Sequence, residues 1–267
     1  MIYKLYQNKS LSLWYMIYPA FIIGFVTVYL LSVGVIPLYY LLVTFVMWIL
    51  SCGLGIAVGY HRVFSHRTHV LPAWKENVIM SFAVFSGQGS SIFWTALHRG
   101  YHHQYTDTDR DIHSPISKGI WTSFIGWYSL ITEKNSPVKL KYAIDLLKKR
   151  NHRWFSKHHL KILWWTPLLV AIFDWKLALT GFWLVTMIGV LQDNGVNVLG
   201  HIKAFIGYRN FNTKDNSQNN IILGYLGWGQ GWHNNHHHNP KSFDFGKGVS
   251  GKWWEWDPCN IFLPFLK

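Results

Sequence analysis

The stretch GYLGWGQGWHNNHHHNP, Gly224 to Pro240, sets four histidines within six residues beside glycines and tryptophans. Neutral imidazole is the commonest side-chain metal ligand. Three more clusters share that chemistry. HRVFSH carries His61 and His66, HRGYHH carries His98, His102 and His103, and NVLGH ends on His201, one helical turn beyond Asn197. On an α-helix, with roughly 100° per residue, His233, His236 and His237 converge on one point. His98, His102 and His103 spread over about 140°, a looser face. His61 and His66, five apart, share a face less well, which leaves each free to address a different metal. Zinc settles for about four ligands, often with cysteine. Nine histidines exceed one such site and suit two first-row ions with open positions for oxygen; imidazole-rich ligation fits iron. His69, His152, His158 and His159 sit in basic, surface-like contexts and read as solvated or hydrogen-bonded, and His238 lies off the face of its box.

Positioning these rings falls to an unusual chain. Half of the 267 residues are apolar, 16 are tryptophan, and only 14% are charged, against about 25% in an ordinary soluble protein. That composition is a membrane protein's. The formal net charge of +13 is interleaved with long apolar runs, so it reads as loops facing an anionic leaflet rather than a nucleic-acid surface. The two cysteines, Cys52 and Cys259, make no disulfide framework, which points to a reducing, cytoplasmic face. The polar, basic opening MIYKLYQNKS precedes an apolar run with no small-residue cleavage site, so that run reads as a retained span.

Span candidates cover 14–32, 36–58, 162–173 and 177–190, close to the ~20 residues that cross a bilayer core except for the short third. They form two hairpins, turned by SVGVIP and by Asp174-Trp175-Lys176. Between them, Thr68 to Arg99 holds an apolar stretch with Gly87 and Gly89. A crossing there would put histidines on opposite sides, so an interfacial or buried segment is expected. Lys4, Lys9, the Arg62–Arg67 stretch and LKKRNHRWFSKHHLK fall on one side, with every histidine; the opposite tips show only Lys176. By the positive-inside rule the loaded side is cytoplasmic. The expected fold is an all-α membrane protein. Four transmembrane helices in two hairpins carry a cytoplasmic helical cap that holds a histidine-rich dimetal site, in a single domain over 1–267. Imidazoles so near a bilayer need a shared partner.

HRVFSH, HRGYHHQYTDTDRDIHSP, NVLGH and GWHNNHHHNP resemble the histidine boxes of the integral-membrane acyl (fatty acid) desaturases, in their Δ9, stearoyl-CoA desaturase-like branch. The resemblance runs from about Gly59 to Pro258 and closes on WWEWDP. It implies that His61, His66, His98, His102, His103, His201, His233, His236 and His237 hold two Fe ions, with Asn197 assisting through water. Box two has an extra residue against the usual His-x-x-His-His, and Phe124 stands in SFIGW where the family has a non-ligand histidine. No His-Pro-Gly-Gly haem segment is present, so electrons are expected from a separate donor of ferredoxin or cytochrome b5 type.

An unactivated alkyl C–H bond is beyond acid–base chemistry and needs a metal-based oxidant. The expected reaction is O2-dependent insertion of a cis double bond, at Δ9, into a saturated chain carried as acyl lipid, acyl-CoA or acyl-carrier protein. The rivals are a membrane di-iron hydroxylase and, outside enzymes, a histidine-rich metal transporter. Asp107, Asp109 and Asp111 in TDTDRD either cap a helix and solvate a loop, or accept hydrogen bonds from ligand N–H groups; His113 is open in the same way. Arg62 and Arg99 read as contacts to a lipid headgroup or carrier phosphate.

Overall fold

The computed structural model describes residues 13–131, 138–203 and 207–267; Lys4 and Lys9 lie outside them. Among the described residues three helices are long and apolar enough to cross a membrane: α1 (Trp14–Ser32), α2 (Leu38–Ser65) and α5 (Trp175–Leu199). Ile22, Phe25 and Tyr29 of α1 stay more than three-fifths exposed, as an apolar face turned to lipid requires. Gly24 on its inner face meets Met187 of α5, where a Cβ would lie 2.6 Å from Sδ.

The expected third span is the second half of a longer helix, α4 (Arg150–Phe173). Its first half carries Arg150, Arg153, Lys157 and Lys161, too much charge for a continuous apolar crossing. Two other expected spans are longer than their apolar runs. The second continues to Ser65 and so carries His61 inside the helix, and the fourth continues to Leu199 and carries Asn197. The start of α2 meets DWK and the start of α5: Tyr40 Oη donates to Asp174 Oδ2 at 2.7 Å, and Thr44 Oγ1 to the Thr180 carbonyl at 2.9 Å.

Thr68 to Arg99 folds back on itself. Helix α3 (Ala73–Ala83) ends in a short 3-10 turn, and the chain reverses through Gly87 and Gly89, at φ +73° and +78°, before the short helix Ser91–Leu97. A Cβ on Gly87 would lie 2.6 Å from Val190 Cγ2, so glycine serves both the left-handed turn and the close approach. Strand content among the described residues is one two-residue antiparallel ribbon, Gly207–Tyr208 against Asn219–Asn220.

Candidate metal centre

The histidine spacings work because the helices widen where they carry rings. The chain from Ile49 to Ser65 winds with π-helical i→i+5 turns, and the His66 N–H reaches the His61 carbonyl at 3.1 Å. A second π turn covers His98–His102. Widening the turn to roughly 80° per residue brings positions five apart onto one face. Contrary to expectation, His61 and His66 therefore address the same point, their ring centroids 5.1 Å apart. The extra residue of HRGYHH is absorbed by the same device.

The nine rings fall into two adjoining groups. One holds His61, His66, His98, His103 and His236; the other holds His102, His201, His233 and His237. In each, one ligand atom per ring lies within 4.8 Å of all the others. The last box, in helix α6 (His233–His238), does not converge on one point as expected. It straddles both groups, with His236 in the first and His233 and His237, a full helical turn apart, in the second. Box two divides likewise between His102 and its neighbour.

The nitrogens face inward in pairs. Nε2···Nε2 separations are 3.0 Å for His61–His236, 2.9 Å for His103–His236 and for His66–His98, 2.8 Å for His201–His233, and 3.2 Å for His102–His237. Two nitrogens bound to one ion at about 2.1 Å, set at right angles, stand about 3.0 Å apart.

Carboxylates back the four-ring group. Asp111 lies 3.2 Å from His102 Nδ1, Asp107 3.2 Å from His201 Nδ1, and Asp215 2.8 Å from His237 Nδ1. A carboxylate only accepts, so each Nδ1 carries the hydrogen and each Nε2 presents a lone pair. With both rings neutral, the Nε2 lone pairs of His102 and His237 stand 3.2 Å apart, a spacing at which both can bind one ion lying to the side of the line between them. Burial depresses His102, but Asp111, Asp107 and Asp215 outweigh it and leave its pKa raised. Burial, then neighbouring rings and cations, pushes His66 down to about 3. Burial likewise holds His98, His103, His233 and His236 well below the usual imidazole range. Against its own burial, the His201 ring holds Asp107 ionised, at about 2.

Not every expected residue joins the rings. Asp107 and Asp111 do, but Asp109 is 91% exposed and 3.9 Å from Lys118. His113 is buried 3.4 Å from Asp111, forming with His102 a third close group. Asn197 is half-buried and lines a cavity of about 40 Å³ that touches His61 and His98 of one group and His102 and His233 of the other. That volume holds a water. His152, expected near the surface, is buried between Ser91 Oγ at 2.8 Å and Glu76.

The arginines beside the boxes are occupied internally. Arg62 is fully buried and pairs with buried Asp257 at 2.7 Å, with further bonds to the Ala57 and Phe243 carbonyls. Arg99 forks onto Asp145 and reaches the Ser65, Phe64 and Tyr142 carbonyls. Neither is free for a headgroup phosphate. The asparagines that interrupt HNNHHH are structural: the Asn219 amide oxygen accepts from the N–H groups of Asn234 and Asn235, capping α6, while buried Glu255 holds Asn235 and Asn210. WWEWDP thus locks the last box through Glu255 and the first through Asp257.

The family model for fatty acid desaturase matches residues 37–243, enclosing all four histidine clusters. The chain belongs to the fatty acid desaturase family. It is an enzyme, an oxidoreductase. Among curated desaturases it is 32% identical over 219 residues to the sn-2 palmitoyl-lipid 9-desaturase of Nostoc sp. (strain 36), covering 80% of this chain and 75% of that one. It is 31% identical over 237 residues to Delta-9 acyl-lipid desaturase 2 of Arabidopsis thaliana, covering 86% and 74%. The Acyl-CoA C20 Delta5-desaturase of Anemone leveillei is also 31% identical, over 221 residues covering 81% and 67%.

Sequence reasoning missed three desaturase residues that the folded site uses. Asp215 is remote in sequence from the ring it holds, and no spacing rule announces it. Gln230 sits within GQGW beside the last box, its Oε1 accepting from His61 Nδ1 at 3.1 Å. Asp193, one turn before Asn197, accepts from Gln230 at 2.9 Å.

Proposed function

We propose that this desaturase inserts a cis double bond at Δ9 of a saturated chain carried by an acyl lipid, using O2 and two iron ions held by the nine histidines. His61, His66, His98, His103 and His236 hold one ion; His102, His201, His233 and His237 hold the other, with Asn197 acting through a water in the cavity. The observation that carries this reading is the gathering of nine imidazoles into two adjoining groups, with His102 and His237 each backed by a carboxylate at Nδ1. Two irons held there would activate O2, the oxidant that removal of hydrogen from adjacent methylenes demands, with the remaining two electrons coming from the separate donor.

The protein's own residues orient and enclose. Asp107, Asp111 and Asp215 fix ring tautomers and raise ligand basicity. Trp94, Leu97, Trp127 and Val196 line the water-sized cavity beside the rings and present an apolar wall next to them. Acyl lipid is favoured over CoA because the Nostoc and Arabidopsis relatives act on lipid-borne chains by name; the Anemone relative, by name an acyl-CoA enzyme, is similar to the same degree. In this reading the apolar second half of α4 is a further span, the rings lie on the cytoplasmic side, and the basic surface there receives a separate donor of ferredoxin or cytochrome b5 type. Expression in a host that lacks unsaturated C16 and C18 acids, with a donor supplied, tests this. Δ9 cis acids in the glycerolipids are expected. Hydroxylated chains, or unchanged lipids beside folded, iron-loaded protein, would overturn it.

A further inference from the structure

The two groups are supported differently. Three rings of the four-ring group each donate directly to a carboxylate. Among the described residues no carboxylate lies directly behind a ring of the five-ring group, and His236 Nδ1 has no partner. One chain of contacts does reach that group. His61 Nδ1 lies 3.1 Å from Gln230 Oε1, and Gln230 Nε2 donates to Asp193 Oδ1 at 2.9 Å. All three side chains are buried: His61, Gln230 and Asp193 are 2%, 4% and 8% exposed.

Resting on the two-metal reading, we infer that Asp193 is a positioning residue which, acting through Gln230, decides which nitrogen of His61 carries the hydrogen and so leaves Nε2 free to face the five-ring group. A glutamine amide presents a donor at one end and an acceptor at the other, and alone it can sit either way round. Asp193 removes the choice. Ionised, its carboxylate accepts only, so the NH2 of Gln230 turns toward it and Oε1 turns toward His61. His61 then carries its hydrogen on Nδ1, and its Nε2 lone pair points inward, 3.0 Å from His236 Nε2. With the amide reversed, the NH2 would meet Nδ1, the ring hydrogen would move to Nε2, and the ligand position would be blocked. A neutral amide oxygen behind His61 also raises its basicity less than a carboxylate would. The five-ring group is therefore the weaker of the two and the one that depends on Asp193.

The test uses the full chain in detergent, loaded anaerobically with Co2+ as the probe and read by cobalt per chain and visible ligand-field absorption. Wild type is compared with Asp193→Asn, Gln230→Glu and the double variant. Asp193→Asn frees the amide to reverse; Gln230→Glu sets carboxylate against carboxylate. Each single change is expected to weaken one of two cobalt sites by about 10–100-fold and leave the other intact. The double variant restores both sites, because the carboxylate introduced at position 230 would accept from His61 Nδ1 and from the amide introduced at position 193. Mere packing at these positions predicts no such reciprocal rescue. Four proteins with equal cobalt affinity, or a double variant no better than the poorer single, overturn the inference. If the single variants fail to fold, recovery of both sites in the double variant decides alone. A wild type that binds fewer than two cobalt ions refutes instead the two-metal reading beneath it.

Discussion

Asp257→Ala probes the contact that joins the chain's last segment to the first histidine box. Asp257 and Arg62 are both fully buried, and the carboxylate accepts from Arg62 Nη2 at 2.7 Å, Phe245 N at 2.8 Å and Cys259 N at 2.9 Å. Truncation leaves a guanidinium sealed from water and two backbone donors without an acceptor. Breaking a buried pair from one side costs about 3–5 kcal/mol, a large part of the ~5–15 kcal/mol that keeps a protein folded. The loss reaches the rings, because Phe245 packs 3.8 Å from the Arg62 guanidinium and 4.1 Å from the His236 ring. In the double variant Arg62→Met, Asp257→Ala no charge is stranded, and the part of the loss due to the buried charge is recovered; the carbonyls of Ala57 and Phe243 and the N–H groups of Phe245 and Cys259, left without partners, retain a deficit. The coupling between the two sites is then at least about 2 kcal/mol. Unfolding in mixed detergent micelles, followed by tryptophan fluorescence, measures all four corners of the cycle. A single-variant loss under about 1 kcal/mol, the level of an exposed pair, or simple additivity in the double, refutes the reasoning.

Asp215→Asn removes the charge 2.8 Å behind His237, so one of the two metals should bind about 10–100-fold more weakly. Asp109→Asn, at an exposed site, should change nothing, and equal effects in metal titrations would contradict the assignment. The metal-free protein should lose stability as pH falls from about 6.5, the ordinary imidazole value, toward the depressed folded values of about 3 for His66 and about 4 for His237. The sign follows because the unfolded chain binds those protons first. His102, raised in the fold, works in the opposite direction but is outnumbered. A thermal midpoint that stays flat from about pH 7 to about pH 4 would contradict this.

The nine rings were legible because they come in short local boxes whose residue types have one common chemistry. Their partition was not. It depends on the π turns at Ile49–Ser65 and His98–His102, and an α-helical wheel turns rings five apart away from each other. The spans were legible as apolar runs, but hydropathy stops where polar ligands begin, so it ended the second and fourth helices before His61 and Asn197 although their backbones continue. Charge was the least legible part. Arg62 and Arg99 look like surface cations in a basic stretch, and only the fold shows Asp257 and Asp145 against them. Asp215 and Asp193 act across distances that no local pattern encodes.

Anaerobic loading of the purified chain with isotopically enriched ferrous iron, read by metal content, Mössbauer spectroscopy and iron-edge X-ray absorption, tests the paired centre most directly. Two irons per chain are expected, in two distinguishable environments dominated by imidazole nitrogen, with one iron lost first in Asp193→Asn. A single iron per chain, or a coordination shell dominated by oxygen, would contradict the account.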